Sequence, residues 1–330
     1  MKPIYKILGF CIVLLSNINA ANAQTELVFT FPIDCTLGTD CWIANYVDVD
    51  PTEGVKDFKC TAKTYDGHKG VDFALKSRAV MENGVNVLAA RNGKILRVRD
   101  GENDDPKTKG QFDEITAANR DCGNGIIIDH GQGLQSFYCH LKNDSIKVKP
   151  GEQVKEGQTI GFVGQSGVAE FPHLHFTVIW EGSHIDPFTG MTKEDGCGRF
   201  KHSLWEKEIP YAPYALFDGG FASDIPDFKT LNETGARPQE PTLTSKAFVF
   251  WISLYQMQKG DQITLKVVDP DGKTFIHREI TQDTNRARQH YYTGRKLKDH
   301  SLKPGTYTAT ATLKTEGYET YMQDFKTTIE

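Results

Sequence analysis

Two histidine-containing clusters, far apart in the sequence, carry residues suited to bind a metal ion. His173 and His175 are separated by one residue in a β-branched and aromatic run that follows Pro172, a pattern that predicts a strand with both imidazoles on one face. The upstream cluster contains His68 and Asp72. Zinc in hydrolytic sites takes three protein ligands, commonly imidazole nitrogens and a carboxylate, and leaves one position for water. His68, Asp72 and one histidine of the later pair supply such a set.

The local sequence predicts the elements that would position these ligands. A spacing of four could place His68 and Asp72 on one helix face, but Gly67 and Gly70 each cost about 1 kcal/mol in a helix interior, and the residues that follow favour a strand. We therefore expect a turn that leads into a strand. Between residues 71 and 190, short β-rich runs are separated by glycine-containing turns, which indicates an antiparallel sheet. The expected strands are 85–90, 94–98, 125–129, 136–141, 159–163 and 174–180.

The two clusters together resemble a known signature. His68-x-x-x-Asp72 followed by His173-x-His175 is similar to the motifs of the lysostaphin/LytM-type zinc endopeptidases, which cut peptide cross-bridges in bacterial peptidoglycan. The intervening segments also resemble that family, in the same order: a hairpin at 85–95, a central strand at 123–131, a histidine-bearing strand at 137–141 and glycine-punctuated loops at 149–164. The resemblance covers roughly residues 60 to 190. It implies an all-β catalytic domain, a β-sandwich or half-barrel with a groove along one antiparallel sheet.

The resemblance also implies a role for each site residue. The metal ligands would be His68, Asp72 and His175, holding one Zn²⁺ per chain, and His140 and His173 match the two histidines of that family that do not bind the metal. Bound zinc would lower the pKa of its water to about 7 and polarise the scissile carbonyl. One of the two unligated histidines would take a proton from the water, and the other would stabilise the oxyanion or protonate the leaving amine. The sequence leaves open which of them is the base.

The chain begins with a predicted signal peptide. Lys2 and Lys6 precede an apolar run at residues 7–15, and small residues at 21–23 form a cleavage site. The run is too short for an ordinary transmembrane helix. We therefore expect an exported protein, periplasmic or secreted, without stable membrane insertion. Loss of the two lysines would change the formal net charge from -5 to -7. Such an acidic chain lacks the basic stripe that nucleic-acid binding requires.

The cysteines indicate disulfide bonds. The mature chain would keep six of the seven cysteines, an even number that favours disulfides in an exported protein. Cys35 and Cys41 are close enough in sequence to close a small loop. The other four cysteines can pair in three ways. The pairing expected here is Cys60 with Cys122 and Cys139 with Cys197.

The length of the chain suggests two domains. We expect a signal peptide at 1–23, a zinc metallopeptidase domain at 24–215 with its core at 60–190, a connector at 216–240 and a small C-terminal β-sandwich at 241–330. Runs at 247–254, 262–268, 273–280 and 306–313 favour that sandwich, whose expected role is targeting or substrate positioning.

Two further segments of the first domain lie outside the expected strands. Residues 24–65 would form either an inhibitory segment or, as their shortness favours, a strand and loop lining the groove. Residues 101–122 are rich in charged and turn-forming residues, and we expect either a loop beside the groove or a solvated loop without a role in the site.

The favoured function is an exported zinc metalloendopeptidase that hydrolyses the peptide cross-links of peptidoglycan, with stem peptides or cross-bridges as substrate. Two alternatives are a non-enzymatic, peptidoglycan-binding activator of other wall hydrolases and a secreted protease acting on Gly-rich proteins. The complete set of ligands and proton-transfer residues favours an enzyme, because a scaffold needs neither. The sequence does not favour a serine hydrolase, since the second glycine of 164–168 comes one position too early for Gly-x-Ser-x-Gly.

Overall fold

The computed structural model of the protein describes residues 28–298 and 302–330. The predicted signal peptide at 1–23 lies outside these residues. Among the described residues, the structure contains no helix long and apolar enough to span a lipid bilayer.

An eight-stranded antiparallel sheet dominates the first part of the chain. The strands of this part are β1 Cys41–Asn45, β2 Val71–Leu75, β3 Asn86–Leu88, β4 Gly93–Arg99, β5 Asn124–Gly131, β6 Leu134–Leu141, β7 Gln153–Val154, β8 Thr159–Phe162, β9 His173–Trp180 and β10 Ser183–Ile185. The sheet has the order β1-β2-β9-β6-β5-β4-β7, β10 pairs with β9, and β3 and β8 form a separate pair. Every strand predicted between residues 85 and 180 is present, with ends that differ by at most two residues.

Strand β9 shows why the sequence folds into this sheet. Leu174, Phe176 and Val178 alternate along the strand and are fully buried in the hydrophobic core. The alternation turns His173 and His175 to the opposite face, as the sequence predicts. One face of the strand therefore anchors the core and the other face carries the candidate site.

A second β unit follows, built from two antiparallel sheets. One sheet has the order β11-β12-β15 and the other β14-β13-β16-β17. The bounds are β11 Ala215–Ala222, β12 Ala247–Met257, β13 Gln262–Val268, β14 Thr274–Thr281, β15 Arg286–Lys296, β16 Gly305–Lys314 and β17 Tyr321–Ile329. The sheets enclose a common core that includes Phe248, Phe250, Ile263 and Leu265. The predicted fold class, an all-β protein with a second small β-sandwich, is confirmed.

The predicted connector at 216–240 contains secondary structure. Strand β11 pairs along its length with β12, so the sheet of the second unit begins before residue 241. Helix α3, Phe228–Thr234, follows, with the Asp227 side chain accepting hydrogen bonds from the backbone at its first turn. The domain boundaries themselves stay predictions.

The expectation of a plain loop at 101–122 is wrong. The segment contains helix α2, Lys109–Ala117, which begins with a capping box formed by Thr108 and Gln111. Asp104 fastens the segment, because its carboxylate accepts backbone hydrogen bonds from Gln165 at 2.7 Å and Asn143 at 2.8 Å. The first part also contains helix α1, Arg78–Glu82, and a short 3₁₀-helix, Lys193–Asp195.

The disulfide pairing expected for four of the cysteines is wrong. The bonds are Cys35–Cys41, Cys60–Cys197 and Cys122–Cys139, of which only the first matches the expectation. The antiparallel sheet explains the difference. Residue 122 lies two residues before the start of β5, and β5 pairs with β6, the strand that contains residue 139, so these two cysteines meet.

Candidate metal centre

Pairing between β2 and β9 brings two of the predicted ligands together. Asp72 lies directly opposite His175, and Ala74 lies opposite His173. Because residues opposite each other in an antiparallel pair project to the same face, the Asp72 carboxylate meets the His175 imidazole.

The third predicted ligand comes from the loop before β2. Nδ1 of His68 lies 2.7 Å from the carbonyl oxygen of Tyr46, which holds the ring against the sheet. Gly70 lets this loop pass close to β9, since a Cβ at this position would lie 2.7 Å from His175 Nε2 and 2.6 Å from the Phe176 carbonyl oxygen. The glycine is therefore part of the site's construction.

Three potential ligand atoms converge at this point. Nε2 of His68 lies 3.0 Å from Oδ1 of Asp72 and 3.0 Å from Nδ1 of His175, and the last two atoms are 2.8 Å apart. Ligand atoms 2.0–2.2 Å from a tetrahedral zinc ion are roughly 3.3 Å apart. A small outward movement of these side chains would therefore accommodate the ion.

Hydrogen bonds behind the imidazoles set their tautomers. A carbonyl oxygen only accepts, so the contact with Tyr46 requires the proton of His68 on Nδ1 and leaves a lone pair on Nε2. Nε2 of His175 lies 2.9 Å from Oγ1 of Thr177, which can accept its proton and leave Nδ1 unprotonated. Such outer contacts are typical of metal-ligating histidines. When both rings are neutral, two lone pairs and the Asp72 carboxylate face one another, an arrangement that a bound cation would stabilise.

The electrostatics of the cluster also favour a cation. Burial acts to raise the pKa of Asp72, but the imidazoles of His68, His173 and His175 outweigh it and hold the pKa well below its usual range. Burial acts to lower the pKa of His68, yet the adjacent Asp72 carboxylate prevails and raises it. The pocket thus holds a carboxylate that attracts positive charge.

The two histidines predicted for proton transfer lie beside this cluster. The rings of His140 and His173 have their centroids 4.6 Å apart, and His173 Nε2 lies 3.6 Å from Asp72 Oδ1. Nδ1 of His140 lies 2.8 Å from the Ser166 carbonyl oxygen, and Nδ1 of His173 lies 2.8 Å from that of Phe171. Both rings therefore carry a proton on Nδ1, and in its neutral form each ring has Nε2 as an acceptor.

His140 is held as a neutral imidazole in an uncommon backbone conformation. Burial lowers its pKa well below the ordinary value, and His173 and His175 add to the shift. Its φ angle is 61°, in the left-handed region, and its backbone N–H donates to the Cys122 carbonyl oxygen at 2.8 Å. The Cys122–Cys139 disulfide ties that acceptor to the residue before His140.

Comparison with known proteins identifies this region. Residues 66–187, which contain all five predicted site residues, match Peptidase family M23. This part of the chain is an M23 domain. The match confirms the resemblance recognised in the sequence.

Named relatives match less than half of the chain. Peptidoglycan DD-endopeptidase ShyB of Vibrio cholerae is 32% identical over 119 residues, which are 36% of this chain and 22% of the relative. Murein hydrolase activator NlpD of Escherichia coli is 28% identical over 137 residues, 42% of this chain and 29% of the relative. The matches thus span less than a third of either relative's length. The solved catalytic domain of lysostaphin, an antimicrobial peptidase from Staphylococcus simulans, is 26% identical, with 43% of this chain and 85% of that chain covered and a TM-score of 0.28.

Sequence reasoning missed part of the M23 site. Nδ2 of Asn45 donates to Asp72 Oδ2 at 2.8 Å and so orients the carboxylate. The Tyr65 ring covers His68, with 4.4 Å between the ring centroids. Thr177 could have been found, because it lies two residues after His175 on the same strand face. Asn45 could not, since its position depends on the pairing of β1 with β2.

A second cluster with metal-ligand chemistry lies outside the M23 domain. Cys35, Asp40 and Cys41 also come close together. The two cysteines form a disulfide, so they offer no thiolates to a metal ion. The His68, Asp72 and His175 cluster is therefore the candidate metal centre.

Proposed function

We propose that the protein is an exported, zinc-dependent endopeptidase that hydrolyses peptide cross-links of bacterial peptidoglycan. The observation that carries the proposal is the convergence of three ligand atoms beside two histidines that remain free for proton transfer. His68, Asp72 and His175 are the proposed ligands. M23 membership implies a metal, and the imidazole and carboxylate donors suit zinc.

Zinc held by these ligands would lower the pKa of a water molecule to about 7 and polarise the scissile carbonyl. The chain's own residues supply the proton transfers. Each of His140 and His173 presents an Nε2 lone pair that can take a proton, and the resulting imidazolium can donate it to the leaving amine. The carbonyls of Ser166 and Phe171 hold both rings in the tautomer that this requires.

The relatives support the substrate class and also suggest a second candidate function. ShyB is named a peptidoglycan DD-endopeptidase, whereas NlpD is named an activator of murein hydrolases. A non-catalytic activator has no need for two oriented histidines beside a ligand set. Hydrolysis is therefore the function that this site supports best.

Export is part of the proposal. The amino-terminal sequence has the pattern of a signal peptide, and residues 28–298 contain three disulfide bonds. Disulfides persist in oxidising compartments such as the periplasm and the cell exterior. Fractionation of cells that produce the full chain, with amino-terminal sequencing of the exported form, tests this part.

Digestion of purified sacculi tests the activity. Zinc-loaded protein should release muropeptides whose masses identify the cut cross-link. His140→Ala should lose roughly two to four orders of magnitude in rate, the range contributed by a general acid or base. His277→Ala is the matched control, because this histidine is exposed in the second unit, where its Nε2 lies 3.3 Å from Glu279 Oε1. If the wild-type protein releases no muropeptides but accelerates a separate wall hydrolase, the endopeptidase proposal is refuted and the activator function is supported.

A further inference from the structure

The proposed active site opens into a cleft with two walls. The cleft has a volume of about 750 Å³, and Asp72 and His173 line it from the M23 domain. Residues 282, 283 and 285–289, at the β14–β15 turn and the start of β15, line it from the second β unit. A substrate that reaches the proposed metal centre through this cleft must contact both units.

The second wall is held firmly against the first part of the chain. The Lys63 ammonium is buried, donates to the Gln256 carbonyl oxygen at 2.8 Å and lies 3.2 Å from Asp261. The Tyr255 hydroxyl donates to the Leu75 carbonyl oxygen at 2.7 Å, next to the end of β2. These bonds cross between the units and are shielded from water. The wall is therefore a fixed part of the catalytic cleft rather than a mobile targeting module.

Two arginines on this wall differ in their surroundings. Arg288 is engaged by the protein: it donates to the Lys76 carbonyl oxygen and to Asn232, and its guanidinium lies 5.2 Å from the Phe217 ring centroid. Arg286 is exposed, and its side chain makes no hydrogen bond or ion pair with any residue of 28–298 or 302–330. Arg286 therefore offers all the donors of its guanidinium to a ligand.

Other charges in the cleft limit what it can bind. Glu170 and Asp283 also line it, and both side chains are exposed. Each would repel a polyanion. A peptide with one carboxylate directed at Arg286, by contrast, would gain a charge-assisted and potentially bidentate hydrogen bond.

We infer that Arg286 is a specificity residue that binds a free carboxylate of the substrate peptide, so that the cleft selects acidic stem peptides over neutral glycine bridges. The inference rests on the proposed function, since it concerns the substrate of that reaction. It gives the second β unit the substrate-positioning role expected from the sequence.

A pair of cross-linked muropeptide dimers tests the inference. The two dimers differ only at one terminal carboxyl group, which is free in the first and a primary amide in the second. Dissociation constants and kcat/KM are measured with zinc-loaded protein. The wild type should prefer the free carboxylate about 10-fold or more, Arg286→Gln should abolish that preference, and Arg286→Lys should keep part of it. Glu170→Gln should increase the preference, because it removes a repelling charge.

Arg295→Gln is the control for the loss of one positive charge. Arg295 lies on the same strand, roughly 30 Å from Arg286 at the strand rise of about 3.4 Å per residue, and stacks on Phe275. Its replacement should leave the preference unchanged. Equal effects of Arg286→Gln on both dimers, or binding of neither dimer by the wild type, would overturn the inference. Preferential binding without cleavage would uphold it and refute the proposed endopeptidase activity.

Discussion

The buried ion pair between Lys63 and Asp261 provides a quantitative test of how the two units are joined. Their side chains are 1% and 3% exposed, and Nζ lies 3.2 Å from Oδ2. Burial lowers the pKa of Lys63, an effect that Asp261 opposes. Replacing Lys63 with Met removes the counter-charge and leaves a buried carboxylate, which costs about 3–5 kcal/mol. Asp261 keeps hydrogen bonds from the Gln258 backbone at 2.9 Å and the Thr315 hydroxyl at 2.8 Å, so we expect the lower end, about 3 kcal/mol.

Urea unfolding at pH 7 measures this cost as the change in the free energy of unfolding. Lys56→Met is the matched control: Lys56 is 51% exposed and 3.5 Å from Asp50, so its loss should cost less than about 1 kcal/mol. In Lys63→Met/Asp261→Asn no buried charge remains, and we expect part of the lost stability to return. Equal costs for Lys63→Met and Lys56→Met would refute the conclusion that the interface is buried and fixed.

Two further predictions concern pH and disulfides. Burial lowers the pKa of His290 to about 4, with Arg288 contributing, whereas an unfolded histidine titrates near 6.5. As the pH drops, the unfolded chain therefore binds a proton at this histidine before the folded protein does. The free energy of unfolding should fall by up to about 3 kcal/mol between pH 7 and pH 4. Urea unfolding at a series of pH values should show a weaker pH dependence for His290→Gln. Replacing Cys122 and Cys139 with Ala should cost about 3 kcal/mol and slow sacculus digestion while zinc content persists, because the bond helps to hold His140. An unchanged digestion rate would contradict that positioning role.

The residues of the candidate metal centre could be predicted because they lie in regular sequence patterns. The alternation in β9 predicted that His173 and His175 share one face of the strand, and the glycines around His68 argued against a helix there. The assignment of individual roles came from the resemblance. The disulfides could not be predicted, since four cysteines allow three pairings and the choice depends on strand neighbours.

Strands that lack simple alternation were missed. Strand β11 contains Gly219 and Gly220, which suggest a connector, yet a Cβ at Gly219 would lie 2.7 Å from the Phe325 ring. The glycine there permits close packing within the second unit. Strand β15 has few buried residues and many charged ones, so its sequence resembles an exposed loop. Both strands depend on pairing with β12, a contact that no local pattern shows.

Measurement of zinc content in three proteins tests the central claim most directly. The wild type, His175→Ala and His173→Ala are purified, loaded with zinc and freed of excess metal. Atomic emission spectroscopy then measures the zinc content, and circular dichroism confirms that each protein is folded. The wild type should hold about one zinc per chain, from the count of three ligands and one open position. His175→Ala should lose the metal, and His173→Ala should retain it while losing peptidoglycan hydrolysis. A wild type without stoichiometric metal, or equal metal loss in both variants, would contradict the proposed centre.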